Sequence, residues 1–188
     1  RMSEKKTVLR KLYKEKTSII QNREQLSAKI AERIFALDEY KSCDCVFAYF
    51  SVFSEVSTVS IIKRARKDGK AVALPQCEKE GNAMHFFLTE KESELENGRF
   101  NGIFEPKKGL LKAQATKKTL ILVPALAYGR NGSRLGKGMG FYDRFLAESK
   151  GVSVGLCFEE NLAEALPETG LDRRVRIIIT ENETLFIN

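Results

Sequence analysis

The stretch RLGKGMGFYDRF, residues 134–145, sets Gly136, Gly138 and Gly140 at alternate positions between Arg134, Lys137 and Asp143. Glycines so spaced permit backbone conformations closed to other residues and let a ligand come close to the main chain. If a helix starts just beyond them, its free N–H groups and positive dipole end favour a phosphate. Arg134 and Lys137 can add charge-assisted bonds. Asp143 is placed to hold Mg²⁺, a hard cation usually bound through one or two carboxylates together with phosphate oxygens and water. The spacing is neither the G-x-G-x-x-G dinucleotide fingerprint nor a P-loop ending in G-K-[ST]. A tight structural turn is the bland alternative.

Other reactive side chains are sparse. Cys43, Cys45, Cys77 and Cys157 lack the spacing of a zinc site and are too few for a disulfide scaffold, so free thiols are expected. The single histidine, His85, lies in the apolar run AMHFFLT and reads as structural. Histidine-centred nucleophilic catalysis and multi-histidine metal sites are thereby disfavoured. The net charge of +7 suits a nucleic-acid binder or an anionic small molecule, depending on where the charge lies. Much of it falls in SEKKTVLRKLYKEKTSII, where Val8, Leu9 and Leu12 keep helical spacing among lysines and arginines, as a solvated helix face would. No cluster of cations interleaved with aromatics marks a nucleic-acid surface.

The elements that must position the loop alternate in α/β order. Two helices come first, the second being REQLSAKIAERIFALDEY with Leu26, Ile30, Ile34 and Leu37 on one stripe. CVFAYFSV is a strand; STVSIIKRARKDGK follows as a helix with Ser57 as N-cap and Gly69 as stop. AVALP and MHFFLT are further strands, and residues 90–118 read as irregular with one short helix. TLILVPALAY is a single strong strand running into the glycine loop, FYDRFLAESK a helix, and VSVGLCF a strand. VRIIITENETLFI closes as two strands around a polar turn. The 188 residues are expected to form one domain, residues 2–188, with Arg1 read as an addition ahead of Met2. The pattern predicts a three-layer α/β/α sandwich around a mostly parallel sheet, with a ligand site beyond the carboxyl ends of the strands. No apolar run approaches the roughly 20 residues of a membrane helix, so no membrane partner and a cytoplasmic setting are expected.

The segment LVPALAYGRNGSRLGKGMGFYDRFL resembles the signature of the 5-formyltetrahydrofolate cyclo-ligase family, also called 5,10-methenyltetrahydrofolate synthetases, whose central motif is R-L-G-x-G-x-G-[FY]-Y-D. Further landmarks occur in the family's order: KKTVLR, YFSVFSEVST, ALP, GIFEP and ALPETGLD. The chain departs from the pattern at Tyr128-Gly129, at Leu171 and in the aromatic pair Phe141-Tyr142.

The resemblance implies a Rossmann-like fold of the NagB/RpiA/CoA transferase-like kind. It also implies an ATP- and Mg²⁺-dependent closure of 5-formyltetrahydrofolate to 5,10-methenyltetrahydrofolate with release of ADP and phosphate. Carried across, ATP would contact Lys6, Arg10, Arg134, Leu135, Gly136, Lys137, Gly138, Met139, Gly140, Phe141 and Tyr142, of which Lys6, Arg134, Lys137 and Tyr142 would serve catalysis. Asp143 and Asp172 would hold the metal. Glu55 would hydrogen-bond the N–H donors of the pterin, Phe50 and the backbone from Lys137 to Phe141 would wall the folate pocket, and the cationic surplus would suit a polyglutamylated folate tail. A monomer or weak homodimer without nucleic-acid partners is expected. The competing classes are a basic nucleic-acid-binding module, for which clustered cations with aromatics or a recognition helix are missing, and a nucleotide-binding domain without catalysis, which gives no reason for Glu55 or Asp172.

Overall fold

The apolar runs become strands where both faces can be covered. The computed structural model describes residues 1–52, 54–78, 83–100 and 102–188. The strands are β1 (Cys45–Phe47), β2 (Ala71–Cys77), β3 (Met84–Leu88), β4 (Leu95–Asn97), β5 (Phe104–Pro106), β6 (Lys112–Ala113) and β7 (Thr119–Val123). They continue with β8 (Ala127–Gly129), β9 (Arg134–Leu135), β10 (Val152–Leu156), β11 (Leu162–Ala163), β12 (Ile177–Ile179) and β13 (Thr184–Phe186). The helices are α1 (Met2–Ser18), α2 (Arg23–Ala36), α3 (Asp38–Ser42), α4 (Val59–Lys67) and α5 (Phe141–Glu148).

An eight-stranded sheet has the order β13-β12-β10-β7-β1-β2-β3-β6. Its middle, from β12 to β2, is parallel, and β13, β3 and β6 pair antiparallel at the flanks. From β1 the chain moves to β2 on one side, and from β7 to β10 on the other. The order therefore reverses between β1 and β7, and a crevice opens beyond their carboxyl ends.

Period-two alternation sends neighbouring residues to opposite faces. Val46, Leu120, Leu122 and Val154 pack with Ile30 and Ile34 of α2 and Ile61 and Ile62 of α4. Phe47, Ile121, Val123 and Ile178 pack on the other side with Phe141 and Phe145 of α5 and with Tyr128. The expected three layers are present, but the second outer layer is a single helix together with a small sheet of order β11-β8-β9. The helix α1 lies against that small sheet: Tyr13 and Leu9 pack with Leu126, Ala127, Leu135 and Leu166. Val8 and Leu12, expected on the same stripe as Leu9, are exposed.

Several elements differ from the sequence expectation. The second helix breaks at Leu37, whose ψ of 136° is extended, and α3 resumes as a separate turn. TLILVPALAY splits at Pro124, since proline cannot donate to a ladder, and its second half joins the small sheet. CVFAYFSV keeps strand form only to Phe47, after which the chain leaves the sheet. Residues 90–118 contain a 3₁₀ turn at Glu92–Glu94 and the strands β4, β5 and β6, too short to show a period. Thr58 rather than Ser57 caps α4; the Thr58 hydroxyl donates to the Tyr49 carbonyl at 2.5 Å, and the Ser57 N–H donates to Ser27 Oγ at 3.0 Å. Gly69, at φ 77°, does stop that helix: its N–H and that of Lys70 return to the carbonyls of Arg66 and Ala65.

Candidate active site

A cavity of about 720 Å³ sits at the predicted place. Tyr49, Phe50 and Glu55 reach it from the segment after β1, Pro75 and Cys77 from the end of β2, and Pro124 and Ala125 from the end of β7. The glycine loop forms one wall. Gly140, at φ 71°, is the residue immediately before α5, and Gly138 has φ 107°, a region that favours glycine. The start of α5 therefore opens onto the cavity, as the spacing predicts.

Three ion pairs join six of the predicted residues. Arg134 Nη2 lies 3.1 Å from Asp143 Oδ2, Lys6 Nζ 2.6 Å from Asp172 Oδ2, and Lys137 Nζ 2.8 Å from Glu55 Oε1. Each unites side chains that lie far apart in the sequence or on different elements. Arg134, whose side chain is only 6% exposed, also donates from Nη1 to the Pro124 carbonyl at 3.2 Å, while its Nε has no partner among the described residues. Its guanidinium carbon is 5.7 Å from the Tyr142 ring centroid. Arg10 Nε donates to the Gly136 carbonyl at 2.9 Å, and its guanidinium lies alongside Gly138. Packing of α1 on the small sheet thus delivers Arg10 to the glycine loop and Lys6 to Asp172.

Asp143 and Asp172 meet at one backbone corner: the Arg173 N–H donates to Asp143 Oδ1 at 3.0 Å, and Asp172 Oδ2 accepts from the Thr169 N–H at 2.5 Å. Both offer hard oxygen donors of the kind Mg²⁺ takes. Among the described residues no group of three or more potential metal-ligating His, Cys, Asp or Glu side chains occurs, so any such cation would draw further ligands from phosphate and water. Burial works against the charged form of Asp172, but hydrogen bonds from Lys6 and Thr169 outweigh it and hold its carboxyl below the usual carboxylate range. Burial raises the Tyr142 phenol far above its ordinary value, and the Glu55 charge adds to that, so Tyr142 stays neutral and can donate.

Phe50, Glu55, Arg134, Gly136 to Asp143, and Asp172 all line the cavity. Lys6 and Arg10 stand one contact behind, through Asp172 and the Gly136 carbonyl. Leu135 does not reach it: its side chain is buried in the cluster with Leu126 and Ala127. Gly129 lies outside the lining, pressed against Ser133 and Asn131, and Leu171 is an exposed residue at the rim. His85 pairs with Glu78 at 2.8 Å, and all the cysteines are free. The sequence reading missed Arg173, Thr169 and Glu105, which also line the cavity. The GIFEP landmark contained Glu105, but no spacing rule connects residue 105 to residue 136.

A strand-to-helix glycine loop with paired cations and carboxylates at a sheet's switch point belongs to the α/β nucleotide-dependent enzymes. The description of the 5-formyltetrahydrofolate cyclo-ligase family matches residues 1–181, and the chain belongs to that family. It is 29% identical to the probable 5-formyltetrahydrofolate cyclo-ligase of Caenorhabditis elegans, covering 97% of this chain and 92% of the relative. The 5-formyltetrahydrofolate cyclo-ligase of Mus musculus is 27% identical, with 83% and 82% covered. The NMR structure of Aquifex aeolicus 5,10-methenyltetrahydrofolate synthetase superposes with a TM-score of 0.82 at 30% identity, covering 97% of this chain and 93% of that one. A 5,10-methenyltetrahydrofolate synthetase from Mycoplasma pneumoniae, 17% identical, shares the fold with a TM-score of 0.74.

Proposed function

We propose that residues 2–188 act as one catalytic domain that closes 5-formyltetrahydrofolate to 5,10-methenyltetrahydrofolate, consuming ATP and releasing ADP and phosphate. The observation that carries this reading is the set of ion pairs Lys6–Asp172, Arg134–Asp143 and Lys137–Glu55 around the 720 Å³ cavity. A formamide oxygen is a poor leaving group. Transfer of the γ-phosphoryl group of ATP to that oxygen, with ADP as leaving group, makes it a good one; the N10 amine then attacks the formyl carbon, the ring closes, and phosphate leaves. Such chemistry depends on positioning and charge stabilisation.

Arg134, Lys137 and Lys6 bind and neutralise the phosphates, and Arg10 fixes the loop by holding the Gly136 carbonyl. The neutral Tyr142 donates toward the transferred group. Asp143 and Asp172 would hold Mg²⁺, which when bound neutralises phosphate charge. Phe50 and Glu55 receive the folate. A second cleft of about 420 Å³, lined by Lys117, Lys150, Arg173, Arg174 and Arg176, shares Arg173 with the cavity and suits a polyglutamylated tail. The setting proposed is the cytoplasm, with the chain as a monomer or weak homodimer and no nucleic-acid partner; among the described residues no helix is long and apolar enough to cross a membrane.

Incubation with 5-formyltetrahydrofolate, ATP and Mg²⁺ should produce the absorbance of the methenyl product together with stoichiometric ADP. Binding of ATP without product would instead establish a noncatalytic nucleotide domain.

A further inference from the structure

The two carboxylates assigned to Mg²⁺, Asp143 and Asp172, are held in different ways. Asp143 spreads its bonds over both oxygens, Oδ2 facing Arg134 Nη2 at 3.1 Å and Oδ1 accepting the Arg173 N–H at 3.0 Å. Asp172 gathers three on one: Oδ2 lies 2.6 Å from Lys6 Nζ, 2.5 Å from the Thr169 backbone nitrogen and 3.1 Å from Thr169 Oγ1. Among the described residues no hydrogen bond or ion pair reaches Asp172 Oδ1, although the residue lines the cavity. An ionised carboxylate is an acceptor at both oxygens, so this arrangement spends one oxygen and keeps the other.

The segment that builds it is a closed clasp. Thr169 and Asp172 bond reciprocally, the Asp172 N–H donating to the Thr169 carbonyl at 3.2 Å while the Thr169 N–H and hydroxyl return to Oδ2. The Thr169 hydroxyl also accepts from the Leu171 N–H at 3.4 Å, which leaves its own proton for Asp172. On the outer side Glu168 receives two bonds from the Arg174 guanidinium, at 2.9 and 2.6 Å. The backbone N–H between them, that of Arg173, is the one that goes to Asp143. Short hydroxyl and carboxylate side chains bonded to nearby backbone groups stiffen turns in this way.

We propose that Thr169 is a positioning residue that commits Asp172 Oδ2 and thereby presents Oδ1 to a divalent cation. The inference rests on the nucleotide and Mg²⁺ reading above and refines it. Lys6 is the third partner of Oδ2, but the same reading sends Lys6 to the phosphates; once it turns away, the two Thr169 bonds are what still fixes the carboxylate. Mg²⁺ demands near-ideal geometry from its ligands, and removing a group that orients a metal ligand typically costs about 10- to 100-fold in metal affinity.

The test is equilibrium binding of a nonhydrolysable ATP analogue with and without Mg²⁺, which needs no turnover. Wild type should bind the analogue more tightly with Mg²⁺. Thr169→Val keeps the backbone bond and loses the hydroxyl; it should forfeit most of that enhancement, about tenfold, with metal-free affinity and melting temperature unchanged. Thr169→Ser should retain the enhancement, and Asp172→Asn should abolish it. An undiminished enhancement in Thr169→Val or Asp172→Asn, equal losses in Thr169→Val and Thr169→Ser, or losses that are the same with and without Mg²⁺ would each overturn the proposal, the last being what a merely structural turn predicts. If wild type shows the enhancement while any of these holds, the role of Thr169 fails and the nucleotide reading stands. A wild type indifferent to Mg²⁺ overturns the metal reading, and one that binds no analogue overturns the nucleotide reading itself.

Discussion

The two ends of the cavity solve opposite problems. At the glycine-loop end the ionised side chains are neutralised by one another, so the empty site is stable and its ligands must displace internal partners. At the β5 end the buried carboxylate of Glu105 has, among the described residues, a single long hydrogen bond, and it is walled by Phe100 and Phe104. The first end can accept phosphate only by exchanging ion pairs; the second is already short of donors.

The harshest way to break the contrast is Arg134→Met. Arg134 is deep, bonded to Asp143 and to the Pro124 carbonyl, so its removal strands a carboxylate at the loop. We expect a loss of about 3 kcal/mol in stability and a fall in kcat of about 100- to 1,000-fold; denaturant titration and steady-state assay report the two.

A gentler cut separates specific from diffuse charge on α1. Neutralising Lys6 and Arg10 together to glutamine should raise the ATP KM at least tenfold, since each gives up charge-assisted bonds worth about 1.5 to 3 kcal/mol. The same change at the exposed Lys11 and Lys14 should leave KM unchanged. Asp172 has a depressed folded-state pKa, so the Lys6–Asp172 contribution is present above the ordinary carboxylate value of about 4 and is lost as pH falls below it. The contrast between the double variants should therefore hold across neutral pH. Equal defects in both would mean that α1 attracts phosphate only diffusely.

The smallest effect probes the apolar end. Burial, with the nearby Glu105 charge, pushes the Cys77 thiol up to about 11, so at pH 8 roughly one molecule in a thousand is thiolate. Alkylation of Cys77 by iodoacetamide should be slow, should speed up as pH rises toward that value, and should be suppressed further by saturating folate because Cys77 lines the cavity. Peptide mapping follows it; protection by ATP but not by folate would reverse the assignment of the two ends.

The same two ends differ in how much of them a reader of the sequence can see. The phosphate end is written locally: Gly136 to Asp143 lie within one strand-to-helix connection, and helical spacing places Lys6 and Arg10 one turn apart. The middle strands and the stripe Leu26, Ile30, Ile34 and Leu37 are equally plain, because long periodic runs announce themselves and these residues pack in one cluster. Glu105 was invisible for the opposite reason. Its strand has three residues, its space comes from Gly98, and its depth comes from β2, so no window of sequence contains the arrangement. The pairing of Lys6 with Asp172 was hidden in the same way, since α1 docks on β8 and β9 through Tyr13 and Leu9 while Val8 and Leu12 of the expected stripe stay exposed.

The charge balance of the cavity bears on how an anion arrives. Among the described residues its lining carries Glu55, Glu105, Asp143 and Asp172 against Arg134, Lys137, Arg144 and Arg173, a formal sum of zero in a chain whose net charge is +7. The surplus lies elsewhere; the neighbouring cleft, which shares Arg173 with the cavity, adds Lys117, Lys150 and Arg176, together with Arg174, which pairs with Glu168. Long-range steering of an anion would then come from the outer surface, on the flank beside Arg173, and fade with salt over a Debye length of about 10 Å at 0.1 M. The final step into the loop is an exchange of partners between neutral pairs, which ionic strength barely touches. Association would be salt-sensitive in its encounter and salt-insensitive in its commitment.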